Sequence, residues 1–207
     1  DWSSDVCSSD LPTTIALSAD GSTVVGSRPS FDTALGSVNR RAFVWTRSGG
    51  YRSFDELGPD APSSTDFTPR DVSGDGRRVV GSIGDQPILW EVGGQTAPLS
   101  LLSGGTDGGI AHGISDNGNW IVGTAHDGRS YELARVAPDG SIVLIPVPLR
   151  VPVAWNVDDG TVIALSSEVG TALDVSNDGT AVGGLVLLPG ILDMPAGFRW
   201  ESSRDRK

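Results

Sequence analysis

The 207-residue chain has one cysteine, Cys7, and one lysine, Lys207. A single thiol closes no intrachain disulfide, and no cluster of thiolates exists to bind a metal. Only two histidines are present, His112 and His126. Without a His-x-x-x-His spacing or a cysteine, they leave a zinc site short of its third ligand, so the expectation is no metal and no cofactor. Cationic charge is scarce: 15 Lys and Arg stand against 26 Asp and Glu, for a net charge of −11. That balance argues against a phosphate-tracking surface and hence against nucleic acid. The longest apolar run, around 185–188, is far shorter than the ~20 residues that cross a bilayer as a helix, so no membrane span is expected. No G-x-S-x-G elbow, no phosphate-binding glycine loop and no sustained helical periodicity occurs.

What the chain has in quantity is turn chemistry, with 28 Gly and 13 Pro. One unit recurs four times: ALSADGSTVVG from Ala16, DVSGDGRRVVG from Asp71, GISDNGNWIVG from Gly113 and DVSNDGTAVGG from Asp174. A degraded fifth copy is read at 156–164. Asp-Gly or Asn-Gly between apolar runs is the strongest short-range hairpin signal, because glycine takes positive φ without steric cost. Gly21, Gly76, Gly118, Gly140 and Gly179 are therefore expected at positive φ in tight turns. A second hairpin follows each unit: 42–45 with 51–57, 87–90 with 97–102, and 131–136 with 141–145. The fourth begins at 197–200 and is cut short. Trp45, Trp90 and Trp200 recur at one strand position and read as core, whereas Trp155 reads as outside that register.

Four short antiparallel strands per repeat predict an all-β chain, namely a partial β-propeller with repeats starting near 16, 71, 113 and 174. A β-sandwich or an open stack of hairpins is the alternative. The pattern S-x-D-G-x-x-V-V-G, followed by Arg41-Ala42-Phe43-Val44-Trp45 and then Gly49-Gly50, resembles the HAF-type extracellular repeat of bacteria. Arg41 stands where that family has His, and the other repeats lack the Ala-Phe pair. The resemblance spans about 16–204. It implies an exported, surface-associated repeat protein, extracellular or on the cell surface, with no established reaction. Residues 1–11 (DWSSDVCSSDL) are similar to a translated sequencing adapter, and 205–207 to the start of the matching one. The repeat domain is accordingly read as 12–204.

Several sites are weighed against plain turns. D-x-S-x-D-G at Asp71 and Asp174 is similar to the start of a calcium loop, but Val79 and Val182 fall where further oxygen ligands belong. The same segments are one residue short of the Asp-box of sialidase-type propellers. Asp71 and Asp174 share a position on the innermost strand, where two acids could form a glycosidase pair. The length variation falls in the connections between second and third strands and between blades. Insertions in repeat proteins gather on one, often binding, face. The candidate binding residues are therefore Arg28, Phe31, Arg40, Phe67, His126 and Trp155, with the apolar 185–192 loop as a protein contact. The expected function is a non-catalytic exported module that binds a protein or glycan. The alternatives are a carbohydrate-active propeller enzyme and a purely architectural repeat.

Overall fold

A computed structural model describes residues 14–32, 37–57, 59–105, 108–187 and 195–202. The adapter-like termini lie outside the described residues, as does 188–194. Among the described residues, fifteen strands form four antiparallel sheets. The first holds β1 (Thr14–Leu17), β2 (Thr23–Asp32), β3 (Ser37–Thr46) and β4 (Gly50–Ser53). The second holds β5 (Phe67–Val72), β6 (Arg78–Ile83), β7 (Gln86–Glu91) and β8 (Thr96–Pro98). The third holds β9 (Gly109–Ile114), β10 (Trp120–Val136), β11 (Ile142–Asn156) and β12 (Val162–Ala164). The last has three strands, β13 (Gly170–Val175), β14 (Ala181–Leu187) and β15 (Pro195–Glu201). Each sheet is a meander in chain order, and β1, β5, β9 and β13 lie side by side at the centre. These are successive blades of a β-propeller.

The recurring motif builds the turn between first and second strands by local hydrogen bonds. In the second blade, Gly76 N–H donates to the Ser73 carbonyl at 2.9 Å. The Ser73 hydroxyl donates to Asp75 Oδ1 at 2.7 Å and accepts from Arg78 N–H at 3.0 Å, while Asp75 accepts from Arg77 N–H at 3.0 Å. Ser18–Asp20, Ser115–Asn117 and Ser176–Asp178 repeat this pattern. The Ser22 and Thr180 donors add to the Ser18 and Ser176 hydroxyls, and together they hold Asp20 and Asp178 down at about 2. The five glycines have φ of 64°, 71°, 76°, 84° and 77°, as expected. A Cβ at Gly76 would overlap the Thr23 side chain of the neighbouring blade, whereas one at Gly140 meets nothing within 4 Å. Gly140→Ala should thus cost only the left-handed strain, about 1–2 kcal/mol. Gly76→Ala should cost about 1–3 kcal/mol more, because a blade contact must give. Urea unfolding of the two variants checks the order, and equal losses would contradict it.

Three apolar clusters fill the spaces between blades. Val25, Val44, Phe54, Phe67, Val79, Ile88 and Trp90 pack between the first and second. Val80, Leu89, Ala111, Ile121, Val153 and Trp155 pack between the second and third, and Val122, Ala154, Ala172 and Val182 between the third and fourth. The second, third and fourth blades turn Trp90, Trp155 and Trp200 toward the blade before them. Trp45 pairs with Val24, Trp90 with Val79, Trp155 with Ile121 and Trp200 with Val182, which is one register throughout.

The third blade departs from the sequence reading. The segments 131–136 and 141–145 are not its third and fourth strands but the outer halves of β10 and β11, joined by the turn at Gly140. Its third strand is the inner half of β11, so Trp155 is the register tryptophan after all. The apparent fifth motif at 156–164 is the turn into β12. The loop variation is correspondingly larger than the sequence suggested, because everything between Gly123 and Trp155 belongs to one long hairpin.

Candidate functional site

The structure sorts the six candidate residues by burial. Phe67 is core, 2% exposed, with its ring 5.3 Å from Phe54. Trp155 is core, 1% exposed, with Nε1–H donating to the Ser100 carbonyl at 2.7 Å. Both are filled by neighbouring blades and offer no surface to a ligand. His126 is buried and pairs opposite Arg150; its Nε2 lies 2.8 Å from the Arg129 carbonyl oxygen. Arg28 and Arg40 are exposed on the β2–β3 extension, and the Arg28 guanidinium lies 5.0 Å from the Tyr51 ring centre. The Phe31 backbone pairs with Val38 there, but its side chain lies outside the described residues. Arg28, Arg40 and His126 thus share the end of the propeller that carries the long connections. Of the apolar 185–192 loop, only 185–187 is described, as the end of β14.

That end is dominated by a feature the sequence concealed. Beyond a register shift between His126 and Ser130, β10 and β11 continue as a two-stranded ribbon, 130–136 against 142–148. The strands β9 and β12 pair only with the inner halves, so among the described residues nothing pairs with the outer edges of the ribbon. Its base is clamped. Arg129 grips Asp127 at 2.6 Å and donates to the Ser167 carbonyl, and His126 N–H donates to the Gly108 carbonyl at 3.2 Å. Opposite residues share a face, so Tyr131, Leu133, Val143, Ile145 and Val147 form one apolar ladder interrupted only by Arg135. Tyr131 is 49% exposed, Leu133 48% and Val143 46%; on the other face, Val136 and Ile142 exceed 70%. Beside the base lies a cavity of about 470 Å³, lined by Ile83, Gln86, Leu101 and an Asp85–Arg150 ion pair at 3.0 Å. A second cavity of about 450 Å³ lies at the other end, among Asp75, Arg78, Glu91 and Asn117.

The centre holds the other chemistry. Strands β5, β9 and β13 each carry a β-bulge at the same place, leaving Arg70, His112 and Leu173 out of the ladder. Burial and then the Arg70 guanidinium push His112 down to about 4. Burial likewise lowers the Arg70 pKa. Asp71 is pushed up to about 6, chiefly by burial and secondarily by the Asp174 and Asp116 charges, against the pull of two hydrogen bonds. Its Oδ1 accepts from Val72 N–H and its Oδ2 from Ile114 N–H of the next blade, both at 2.8 Å. Asp71 therefore clips two innermost strands together, and its oxygens are engaged by backbone rather than turned to a substrate. Among the described residues, no group of three or more His, Cys, Asp or Glu is placed to hold a metal. No helix of the described residues is long and apolar enough to cross a membrane.

The fold places the chain among the β-propellers. It is similar to TolB from Acinetobacter baumannii, at 15% identity and a TM-score of 0.55, over 93% of this chain and 41% of that one. A putative TolB from Agrobacterium tumefaciens gives 15% and 0.54, over 93% and 58%, and the tricorn protease 10% and 0.51, over 91% and 17%. The chain thus spans about half the length, or less, of these proteins. At such identities the likeness is one of fold. No family model and no curated protein matches the sequence.

Proposed function

We propose that the chain is a non-catalytic interaction module of an exported or cell-surface protein, and that the β10–β11 ribbon is its protein-contacting element. The carrying observation is the ribbon: an apolar ladder around Leu133 and Val143, exposed and with its edges unpaired among the described residues. Exposed, contiguous apolar strands are costly to keep and mark interaction surfaces. The edges are unequal. β11 carries Pro146 and Pro148, which lack the N–H a ladder needs, whereas 130–136 of β10 has no proline. A partner strand adding to the ribbon would therefore add along β10, with the ladder supplying side-chain contacts. The HAF resemblance supports export.

A photo-crosslinking side chain placed at Leu133 should give covalent adducts with one partner in the producing cells. The same group at Arg77, at the opposite end of the propeller, should give none. Purified protein should compete these adducts away, but not a variant with 129–149 replaced by a two-residue turn. Equal labelling at both positions, or competition by the ribbonless variant, would overturn the proposal.

A further inference from the structure

The hydrogen-bonding phase of the β10–β11 ribbon fixes which of its backbone groups are free. Ala137 N–H donates to the Ser141 carbonyl at 2.8 Å, in the register that sets Val136 opposite Ile142. Hydrogen-bonded and non-hydrogen-bonded pairs alternate along an antiparallel ladder. Tyr131, Leu133 and Arg135 therefore direct their N–H and C=O groups to β11, while Ser130, Glu132, Ala134 and Val136 turn theirs outward. The prolines agree with this phase. Pro146 and Pro148 stand opposite Glu132 and Ser130, where the missing N–H faces away from β10. The outer edge of β11 thus lacks donors at both positions, whereas that of β10 alternates N–H and C=O without a break from 130 to 136.

The β10 edge is complementary to itself. With a two-fold axis at Leu133, two copies pair antiparallel and every residue from 130 to 136 finds a partner. Glu132 meets Ala134 and Ser130 meets Val136 through their outward N–H and C=O groups. Leu133 meets Leu133, and Arg135 lies opposite Tyr131. Arg135 is the residue that interrupts the apolar ladder; it is exposed, and it has neither a hydrogen bond nor an ion pair among the described residues. This register gives it an aromatic face, twice over by symmetry. Moving the axis to Glu132 would set two carboxylates directly opposite each other. Moving it to Ala134 would set Arg135 against Leu133 and Tyr131 against the turn. With the axis at Leu133 the two Glu132 side chains are only diagonal neighbours, exposed and screened. A lone two-stranded ribbon is marginal in water, and additional strands over an apolar face stabilise it.

We propose that two copies of this chain join along 130–136 of β10, with the two-fold axis at Leu133, so that two ribbons make one four-stranded antiparallel sheet. The proposal rests on the ribbon being the protein-contacting element and names its partner. The contact is isologous, so association stops at the dimer.

Sedimentation velocity of the intact chain over a concentration series, in physiological salt, should show a reversible equilibrium ending at twice the 21.5 kDa protomer. Ala134→Pro removes an outward N–H at a position where, as at Pro146 and Pro148, the ribbon's own ladder uses none. Two intermolecular hydrogen bonds are lost by symmetry, so the dimer should weaken by about tenfold or more, with far-UV circular dichroism unchanged. Tyr131→Arg sets arginine opposite Arg135 and should weaken the dimer several-fold; adding Arg135→Tyr reverses the pair and should restore it. In a Cys7→Ser background, Leu133→Cys should give a disulfide-linked dimer on mild oxidation, because directly opposite residues have Cβ atoms about 4.5–5.5 Å apart. Val143→Cys, on β11 and similarly exposed, should not. A chain that stays monomeric would overturn the proposal, as would a dimer untouched by Ala134→Pro or trapping as ready at Val143 as at Leu133. A monomeric chain whose Leu133 crosslinker still captures a different protein would overturn self-pairing and leave the ribbon reading standing.

Discussion

Asp71→Asn is expected to turn a nearly level pH profile of stability into one that rises from pH 4 to pH 6.5. Two central groups with opposite linkage set this result. Asp71 goes from 3.8 in the unfolded chain to about 6 in the fold. The native state therefore binds more proton than the unfolded state between those values, and the stability due to this group falls as pH rises through them. His112 goes from 6.5 to about 4, so the native state binds less proton over nearly the same interval, and its stability contribution is lost as pH falls through it. At 1.36 kcal/mol per unit each shift sets an upper bound of about 3 kcal/mol, which solvent screening at the partly exposed His112 lowers to about 2–3, and the two oppose. Removing the carboxyl leaves the histidine alone, giving stability that rises by about 2–3 kcal/mol between pH 4 and 6.5. His112→Gln should give the mirror image, a fall of similar size between pH 4 and 6. The turn aspartates with lowered values, Asp20 and Asp178 at about 2, act below this window. Urea midpoints across a pH series decide the matter. Variants that keep the wild-type slope would show that neither group is held at the centre as described.

The parts of this fold that could be read from sequence are those made by residues close in the chain. Ser73 and Asp75 bond across two positions, and Gly76 takes φ of 71° for reasons local to the turn. The motif therefore announces the turn wherever it occurs, and with it the blade. Asp139-Gly140 announces a turn equally well but carries no information about which strands it joins. Nothing in 131–145 says that β10 and β11 overrun their sheet, because alternation looks the same in a blade and in a ribbon. Burial of Phe67 and Trp155 was hidden for another reason: the atoms that cover them come from other blades. The clip from Asp71 to Ile114 spans 43 positions, and the bulges at Arg70, His112 and Leu173 show only as a repeated offset from the motif serine. That offset was the one available signal for the central cluster.

Four tryptophans at one register position should respond differently to the same substitution, because what covers them differs. Trp90 sits against Phe54, ring centres 4.7 Å apart, and is 1% exposed. Truncation to alanine empties the space between the first two blades, at a cost of about 3–5 kcal/mol. Trp155→Ala should cost as much, whereas Trp45→Ala should cost about 1 kcal/mol, since Trp45 is 37% exposed among the described residues. Phenylalanine substitutions separate the two buried residues further. Trp90 Nε1 is buried without an acceptor, so losing it removes an unpaired polar group and partly offsets the lost volume. Trp155 Nε1–H donates to the Ser100 carbonyl at 2.7 Å, and its loss strands a buried acceptor at about 1–3 kcal/mol. Chemical denaturation at neutral pH and low protein concentration should therefore order the phenylalanine variants with Trp155→Phe below Trp90→Phe, and the alanine variants with Trp45→Ala well above the other two. Equal losses at Trp45 and Trp90 would mean that the first blade's outer face is covered in solution. Equal losses for the two phenylalanine variants would mean that the bond to Ser100 contributes nothing.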